Sequence, residues 1–176
     1  MYADAFEEWL PMAYDGNGAP RGRWSSEWQV GVYIEATVSD GGATKNPKLF
    51  QCPSDQRVPQ SGTGWFTYAV PDAGWHLMSY APNHILMGHA SWGSRRQKYT
   101  RVLYPGEACL MADAEGPNGV CTGNHPSGIA LRHGWGASIG FADGHVSLMM
   151  LGDIPNRDPY PYTGTKFWAG GITRWW

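Results

Sequence analysis

Phe-Ala-Asp-Gly-His-Val at residues 141–146 decides the fold, because it places Asp-Gly between two apolar runs. Asp-Gly in this setting is a strong signal for a β-hairpin, since a type I′ turn requires positive φ at both of its central residues. The pattern predicts that residues 137–142 and 145–150 form two antiparallel strands joined at Asp143 and Gly144.

Further strands are predicted on the N-terminal side of this hairpin. Residues 99–104, 108–112 and 128–132 are rich in the apolar and aromatic residues typical of strands, and residues 78–83 indicate a shorter one. The strand at 128–132 is expected to lie beside the hairpin. The result would be a mainly antiparallel sheet within residues 99–151.

The two ends of the chain have different patterns. One helical face is formed by residues at spacings i, i+4, i+7 and i+8: Tyr2, Phe6, Trp9 and Leu10. Pro11 limits this helix, and nothing before it resembles an N-cap. Residues 1–11 are therefore either the tail of a helix that begins further upstream or a short N-terminal helix that frays. A second helix is predicted over 25–35, and residues 152–176 are predicted to be an aromatic tail.

The chain length favours one domain, residues 1–176, and the predicted helix and strands make it an α+β domain with long ordered loops. The 24 Gly and 13 Pro residues punctuate the chain often, whereas the 14% aromatic content argues against disorder. The net charge is only -2, and no basic stripe is present to neutralise phosphates. Binding to nucleic acid is therefore not expected.

The three cysteines are Cys52, Cys109 and Cys121, and no Cys-x-x-Cys motif is present. A zinc ribbon and a thioredoxin-like site therefore have no support. Cys109 lies in an apolar run and is expected to be buried and reduced. Cys52 and Cys121 lie in loop-like segments, and the sequence leaves open whether they form a disulfide.

Five segments carry a family resemblance, in one order along the chain. They are Met-Tyr-Ala-Asp at 1–4 with Leu-Pro at 10–11, Phe-Gln-Cys-Pro-Ser-Asp at 50–55, Ser79-Tyr80 with Asn83, Leu-Met-Ala-Asp at 110–113, and Arg132-His133 followed by the segment at 141–146. Together they resemble bacterial prepilin-like proteins whose processing-associated domain is named for a His, nine residues and Asp-Gly. The resemblance covers most of the chain.

This resemblance implies a pilin-like (pseudopilin-like) head, with an N-terminal helix remnant packed on the antiparallel sheet. It implies an exported protein, periplasmic or at the cell surface, anchored in the inner membrane through a hydrophobic helix that is missing from residues 1–176. The expected function is that of a non-enzymatic structural subunit of a pilus-like filament or a type II secretion-like assembly. Its partners would be pilin-like subunits, self or related, and this fragment itself would not contact the membrane.

The motif of His133, nine residues and Asp143-Gly144 has two interpretations. In the first, four residues converge at one end of the sheet as metal ligands: His133, Asp143, His145 and Asp113. Such a mixed set suits zinc, whereas an oxygen-only set built on Asp55 and Asp113 would suit calcium.

In the second interpretation the motif is structural. Asp143 and Gly144 form the turn, and His133 hydrogen-bonds the turn carboxylate or a strand carbonyl. Cys52, Pro53 and Asp55 belong to the same structural motif, with Asp55 capping a turn through its side chain.

Tryptophans offer another functional hypothesis. Four of them lie in Gly-flanked or irregular segments: Trp65, Trp75, Trp92 and Trp135. Exposed indoles would stack on surface glycans, as in an adhesin, or anchor partner subunits, whereas buried ones would fill the core. A metal-dependent hydrolase is the third hypothesis. No catalytic residues are assigned, because the chain lacks Gly-x-Ser-x-Gly, His-Glu-x-x-His and phosphate-loop motifs.

Overall fold

The chain folds into an α+β arrangement around a four-stranded antiparallel sheet. The computed structural model describes residues 8–11, 51–56, 67–70, 74–77, 79–88, 96–114, 128–155 and 165–173. The strands are β1 Thr67–Val70, β2 Gly74–Leu77, β3 Tyr80–Pro82, β4 Cys109–Asp113, β5 Gly136–Phe141 and β6 Val146–Met150. The helices are α1 His84–Met87, α2 Lys166–Ala169 and a 3₁₀ helix at Tyr99–Arg101.

The main sheet has the order β3-β4-β5-β6, and all of its neighbours are antiparallel. β1 and β2 pair separately as a hairpin. The predicted strands at 108–112, 137–142 and 145–150 are confirmed as β4, β5 and β6. The predicted strand at 128–132 is wrong, because this segment makes a single bridge, Ala114 with Ile129, and β4 takes the place beside β5.

One face of the sheet forms the core. Along β5, Ala137, Ile139 and Phe141 are buried and pack with residues of β4 and α2. Trp168 of α2 is only 1% exposed, and Phe167 packs edge-to-face against it. The described part of the predicted aromatic tail therefore supplies large side chains to the core.

Two other elements differ from the prediction. Glu8 has a φ of +66°, and Trp9 forms an antiparallel bridge with Lys98. The helical pattern therefore does not extend through Trp9, while Leu10 is buried in the core. Residues 99–104 begin with the 3₁₀ helix in place of a strand. The predicted helix over 25–35 lies outside the described residues.

The hairpin between β5 and β6 has a different turn from the one predicted. The Gly144 N–H donates to the Phe141 carbonyl at 3.0 Å, and the Phe141 N–H donates to the His145 carbonyl at 2.9 Å. Gly144 has a φ of +97°, and Asp143 is not among the residues with positive φ. This is the pattern of a turn followed by a glycine bulge, so only one residue needs the left-handed region.

A two-residue turn of the type I′ kind occurs instead just before β5. His133 and Gly136 exchange two backbone hydrogen bonds of 3.1 Å. Between them Gly134 and Trp135 have φ values of +62° and +69°, as a type I′ turn requires. The turn places His133 beside the start of β5 and projects Trp135 outward.

Replacing Gly144 with alanine tests the assignment of a positive φ to Gly144. We expect Gly144→Ala to lower the free energy of unfolding by about 1–2 kcal/mol, because an L-residue is strained at positive φ. Gly152→Ala is the control, since a Cβ at Gly152 meets nothing within 4 Å and its φ is outside the strained range. Urea denaturation of both variants measures the difference, and equal midpoints would contradict the assignment.

No helix in the described ranges has the length and the apolar composition needed to cross a membrane.

Candidate functional site

Seven side chains from four separate segments meet around the C-terminal end of β4. We call them the polar cluster: Cys52, Asp55, Ser79, Tyr80, Asp113, Arg132 and His133. Asp55, Ser79 and Asp113 are at most 8% exposed, and Cys52 is 2% exposed. Since buried polar groups cost free energy unless they are paired, this concentration requires the network of contacts described below.

Arg132 is the centre of the network. Its guanidinium lies 3.3 Å from Asp55 Oδ2 and 3.7 Å from Asp113 Oδ1. It also donates hydrogen bonds to the backbone carbonyls of Ser79, at 3.0 Å, and Ala114. The Arg132 side chain is 10% exposed, so one buried cation links two carboxylates and the backbone of two segments.

The Cys-Pro-Ser-Asp turn brings Cys52 and Asp55 into the cluster. The Asp55 N–H donates to the Cys52 carbonyl at 2.9 Å, with Pro53 at the second turn position, where its fixed φ is favourable. Pro53 is exposed at the tip, whereas Cys52 and Asp55 are buried. The Asp55 carboxylate accepts a hydrogen bond from Ser79 Oγ at 2.6 Å, in addition to its pairing with Arg132. The side chain of Asp55 was predicted to cap its own turn, whereas the contacts described for it reach Ser79 and Arg132 across the fold.

His133 lies between Cys52 and Asp113. Its Nε2 is 3.2 Å from Asp113 Oδ2 and 3.6 Å from Cys52 Sγ. The imidazole is 29% exposed, while Asp113 is fully buried. Three potential metal donors, a thiol, an imidazole and a carboxylate, therefore lie within 4.8 Å of one another.

Asp113 is held from the neighbouring strand but is only half satisfied. The Ser138 N–H of β5 donates to its Oδ2 at 2.7 Å. Its Oδ1 is buried and makes no hydrogen bond, and the nearest described cationic group is that of Arg132.

Tyr80 is the partner of Asp113 in the β3–β4 register. Burial, together with the nearby Cys52 sulfur and the Asp113 charge, raises the pKa of Tyr80 to about 12. The phenol therefore stays protonated and donates its hydrogen bond to Cys52.

Asp143 and His145 do not join the polar cluster. His145 Nδ1 lies 2.7 Å from Asp143 Oδ1 at the hairpin tip, and both side chains are solvent-exposed. β5 lies between His133 and Asp143 and has six residues, which span about 20 Å. The structure therefore brings together only Asp113 and His133 of the four residues expected to converge on a metal. The nine residues between His133 and Asp143 consist of β5 and the residues that flank it.

The hairpin-tip pair makes a testable electrostatic prediction. The His145 backbone N–H and, next, its ring lower the pKa of Asp143 below the ordinary value. A depressed carboxyl pKa stabilises the fold above the ordinary value, and this stabilisation is lost as the pH falls through the folded-state pKa. We expect His145→Ala to raise the Asp143 pKa partway, because the backbone N–H remains. NMR titration of the carboxyl carbon measures it, with Asp143→Asn identifying the signal, and an unchanged pKa would contradict the pairing.

Of the four candidate tryptophans, Trp135 is 75% exposed at the tip of its turn. Trp75 lies in β2, and Trp65 and Trp92 lie outside the described residues. The exposed position of Trp135 suits contact with a ligand or partner.

The two described cysteines are reduced and buried. For Cys109 this agrees with the expectation of a buried, reduced thiol. Burial raises the pKa of this thiol well above the usual range, and the thiol is therefore unreactive. Cys52 is also described as a free thiol. Cys121 itself lies outside the described residues.

The geometry of the polar cluster differs from that of a catalytic triad. A Cys-His-Asp triad uses one imidazole nitrogen for the nucleophile and the other for the carboxylate. Here the same atom, His133 Nε2, faces both Cys52 and Asp113. A separate cleft of about 530 Å³ beside α2 is lined mostly by apolar groups. Its charged residues, Glu107 and Lys166, pair with each other at 3.0 Å.

Comparison with models of known protein families, with curated proteins and with solved structures finds no match.

Sequence analysis missed Arg132, Ser79 and Tyr80 as members of the site. All three stand within segments that carry the family resemblance, next to or inside the motifs already quoted. The available signal was an ionisable residue, Arg132, directly before the motif histidine in an otherwise weakly charged chain. Its role became evident only when long-range contacts placed two buried carboxylates against it.

Proposed function

We propose that this chain is the exported head of a pilin-like (pseudopilin-like) protein, a non-enzymatic structural subunit of a pilus-like or type II secretion-like assembly. The observation that carries the proposal is the convergence of the resemblance segments. Cys-Pro-Ser-Asp, Ser-Tyr, the strand ending in Asp113 and Arg132-His133 are far apart in sequence and meet in one buried cluster. Such convergence is expected of motifs retained for one shared fold.

β6 offers a surface for subunit contacts. It is the edge strand of the main sheet, and Val146, Leu148 and Met150 are 69%, 57% and 43% exposed. The solvent side of an antiparallel sheet is usually polar, and exposed apolar edges tend to pair with other chains. The apolar exposure of β6 is therefore what a subunit that acts through protein contacts would show.

The neighbouring strand keeps this surface accessible. Gly136, Ser138 and Gly140 of β5 are paired in register with Met150, Leu148 and Val146. Because the β5 residues are small, the larger β6 side chains stand beside a shallow strip with little side-chain bulk. We call this surface, Val146, Leu148 and Met150 with Gly136, Ser138 and Gly140, the outer strip.

The test places a charge on the outer strip of the full-length native protein in its own cells. We expect Leu148→Glu to reduce the amount of protein recovered in the assembled fraction by about tenfold or more, because a buried unpaired charge is costly at an interface. Leu103→Glu is the matched control, since Leu103 is 65% exposed and lies outside the sheet.

Both variants should unfold within about 0.5 kcal/mol of the wild type, as surface substitutions generally do. The role of the outer strip would be contradicted if Leu148→Glu were recovered in the assembled fraction at the wild-type level. It would also be contradicted if Leu103→Glu reduced that recovery equally.

A second candidate function, binding of surface glycans as an adhesin head, is favoured by Trp135 alone. Its indole is 75% exposed on a turn with strained φ, and exposed indoles stack on sugar rings. Quenching of tryptophan fluorescence by glycans in the wild type, absent in Trp135→Ala, would support this function over the first.

A further inference from the structure

We propose that Cys52, Asp113 and His133 form a zinc site. The donors are Cys52 Sγ, Asp113 Oδ2 and His133 Nε2, and all lie within 4.8 Å of one another. They come from a loop turn, the end of β4 and the turn before β5, so one ion would join three segments that the backbone does not connect directly.

The distances fit a tetrahedral ion. Bond lengths of about 2.0–2.3 Å at a tetrahedral centre place neighbouring donors about 3.3–3.8 Å apart. His133 Nε2 is 3.2 Å from Asp113 Oδ2 and 3.6 Å from Cys52 Sγ. A single imidazole N–H donates well to one acceptor only, whereas the lone pair of a neutral Nε2 and the two other donors can share one cation.

The surroundings of the donors hold them in place. Asp113 is fully buried, and its Oδ1 lies 3.7 Å from the Arg132 guanidinium, so Oδ2 is the oxygen that faces His133. Ser138 orients the carboxylate through Oδ2, and the Tyr80 phenol bonds Cys52. Hydrogen bonds of this kind orient the ligands in known metal sites.

The charges of the cluster also fit a dication. Arg132 lies beside Asp113 and would oppose a cation, but Asp55 pairs with the same guanidinium. With Cys52 as thiolate and His133 neutral, the two carboxylates, the thiolate, the guanidinium and one Zn²⁺ have no net charge. The site is thus balanced for a divalent ion that displaces the thiol proton.

The donor set selects zinc over calcium. Thiolate, imidazole and carboxylate together suit Zn²⁺, whereas Ca²⁺ takes six to eight oxygens. The oxygen-only alternative of Asp55 and Asp113 is unfavourable because Arg132 lies between the two carboxylates. Three protein donors leave a fourth position for water, which is reached past the partly exposed ring of His133.

The first test adds CoCl₂ to the metal-free, reduced 176-residue chain and records its absorption. Co²⁺ replaces zinc in such sites, and a thiolate ligand gives an intense charge-transfer band that an oxygen-only site lacks. We expect this charge-transfer band together with the visible bands of tetrahedral Co²⁺. The absorbance of both should saturate at one Co²⁺ per chain, and both should disappear when ZnCl₂ is added. Absence of the charge-transfer band at one equivalent would overturn the proposal.

Variants distinguish this site from adventitious binding. We expect Cys52→Ser to abolish the charge-transfer band, and His133→Gln to weaken zinc affinity by about 100-fold. Cys121→Ser and His145→Gln are the matched controls, and each should keep the band and an affinity within about twofold of the wild type. Circular dichroism verifies that each variant is folded.

If Cys52→Ser does not fold, thermal unfolding of the other variants with and without zinc still tests the site. Equimolar ZnCl₂ should raise the unfolding midpoint of the wild type and of both controls, because a ligand that binds only the folded state stabilises it. It should raise the unfolding midpoint of His133→Gln by less, because this variant binds zinc more weakly. A band lost in Cys121→Ser, or an equal shift in every variant, would overturn the assignment of the site to Cys52, Asp113 and His133.

Discussion

Arg132→Met is expected to lower the free energy of unfolding by about 3–5 kcal/mol, the range found when one partner of a buried ion pair is removed. Methionine preserves most of the aliphatic volume but no charge. Asp55 and Asp113 would then be buried carboxylates without their cation, and the carbonyls of Ser79 and Ala114 would lose a donor. Urea denaturation followed by circular dichroism measures the change.

The matched control is Lys166→Met, which removes a cation from an exposed pair with Glu107 at 3.0 Å. Exposed pairs contribute little to stability, so this variant should unfold close to the wild type. Arg132→Lys should fall between the two, because a point charge cannot bond both carboxylates and both carbonyls at once. If Arg132→Met unfolds like the control, the polar cluster does not stabilise the fold.

Asn83→Leu is the second large effect, and we expect it to cost about 3 kcal/mol. The fully buried Asn83 amide donates to the carbonyls of Cys109, at 2.7 Å, and Trp168, at 2.8 Å, and accepts from the Ile85 N–H at 2.9 Å. Leucine has a similar volume but leaves those three backbone groups without this partner. Each net hydrogen bond contributes about 1 kcal/mol, and an unsatisfied buried group costs more.

Asn83→Asp separates capping from the other two contacts. Aspartate keeps the acceptor for the Ile85 N–H, as a good N-cap does, but it places a carboxylate against two carbonyls. We therefore expect it to be at least as destabilising as Asn83→Leu. Thr100→Ala, which removes an exposed hydrogen bond to Glu8, should change stability by less than about 0.5 kcal/mol. A small effect of both Asn83 variants would contradict the role of Asn83 in joining β4, α1 and α2.

The hairpin and the strand before it were predictable from the sequence because their signals are local. Asp-Gly between apolar runs marks β5 and β6, and the apolar run around Cys109 marks β4. The type of turn was not predictable, because a glycine at position 144 permits either a type I′ turn or a turn with a bulge. The two-residue turn at Gly134 and Trp135 was missed because tryptophan is rare at positive φ.

The remaining errors came from long-range contacts that outweigh local periodicity. The helical spacing that includes Trp9 gave way to a bridge with Lys98, a partner distant in sequence. His133 and Asp143 were expected to meet at one end of the sheet, either as metal ligands or through a hydrogen bond, but β5 separates them. The side chains that do meet, those of Cys52 and His133, are 81 residues apart, and no local pattern predicts such a pair.

We propose that this chain is the head of a pilin-like subunit, and the mature N-terminus of the native protein tests that proposal. Mass spectrometry of the protein purified from its source, read with the gene upstream of Met1, identifies that terminus. On this proposal we expect a prepilin cleavage site followed by about 20 apolar residues, enough to span a bilayer, that continue into the present chain. A mature protein with no such apolar segment ahead of Tyr2 would contradict it.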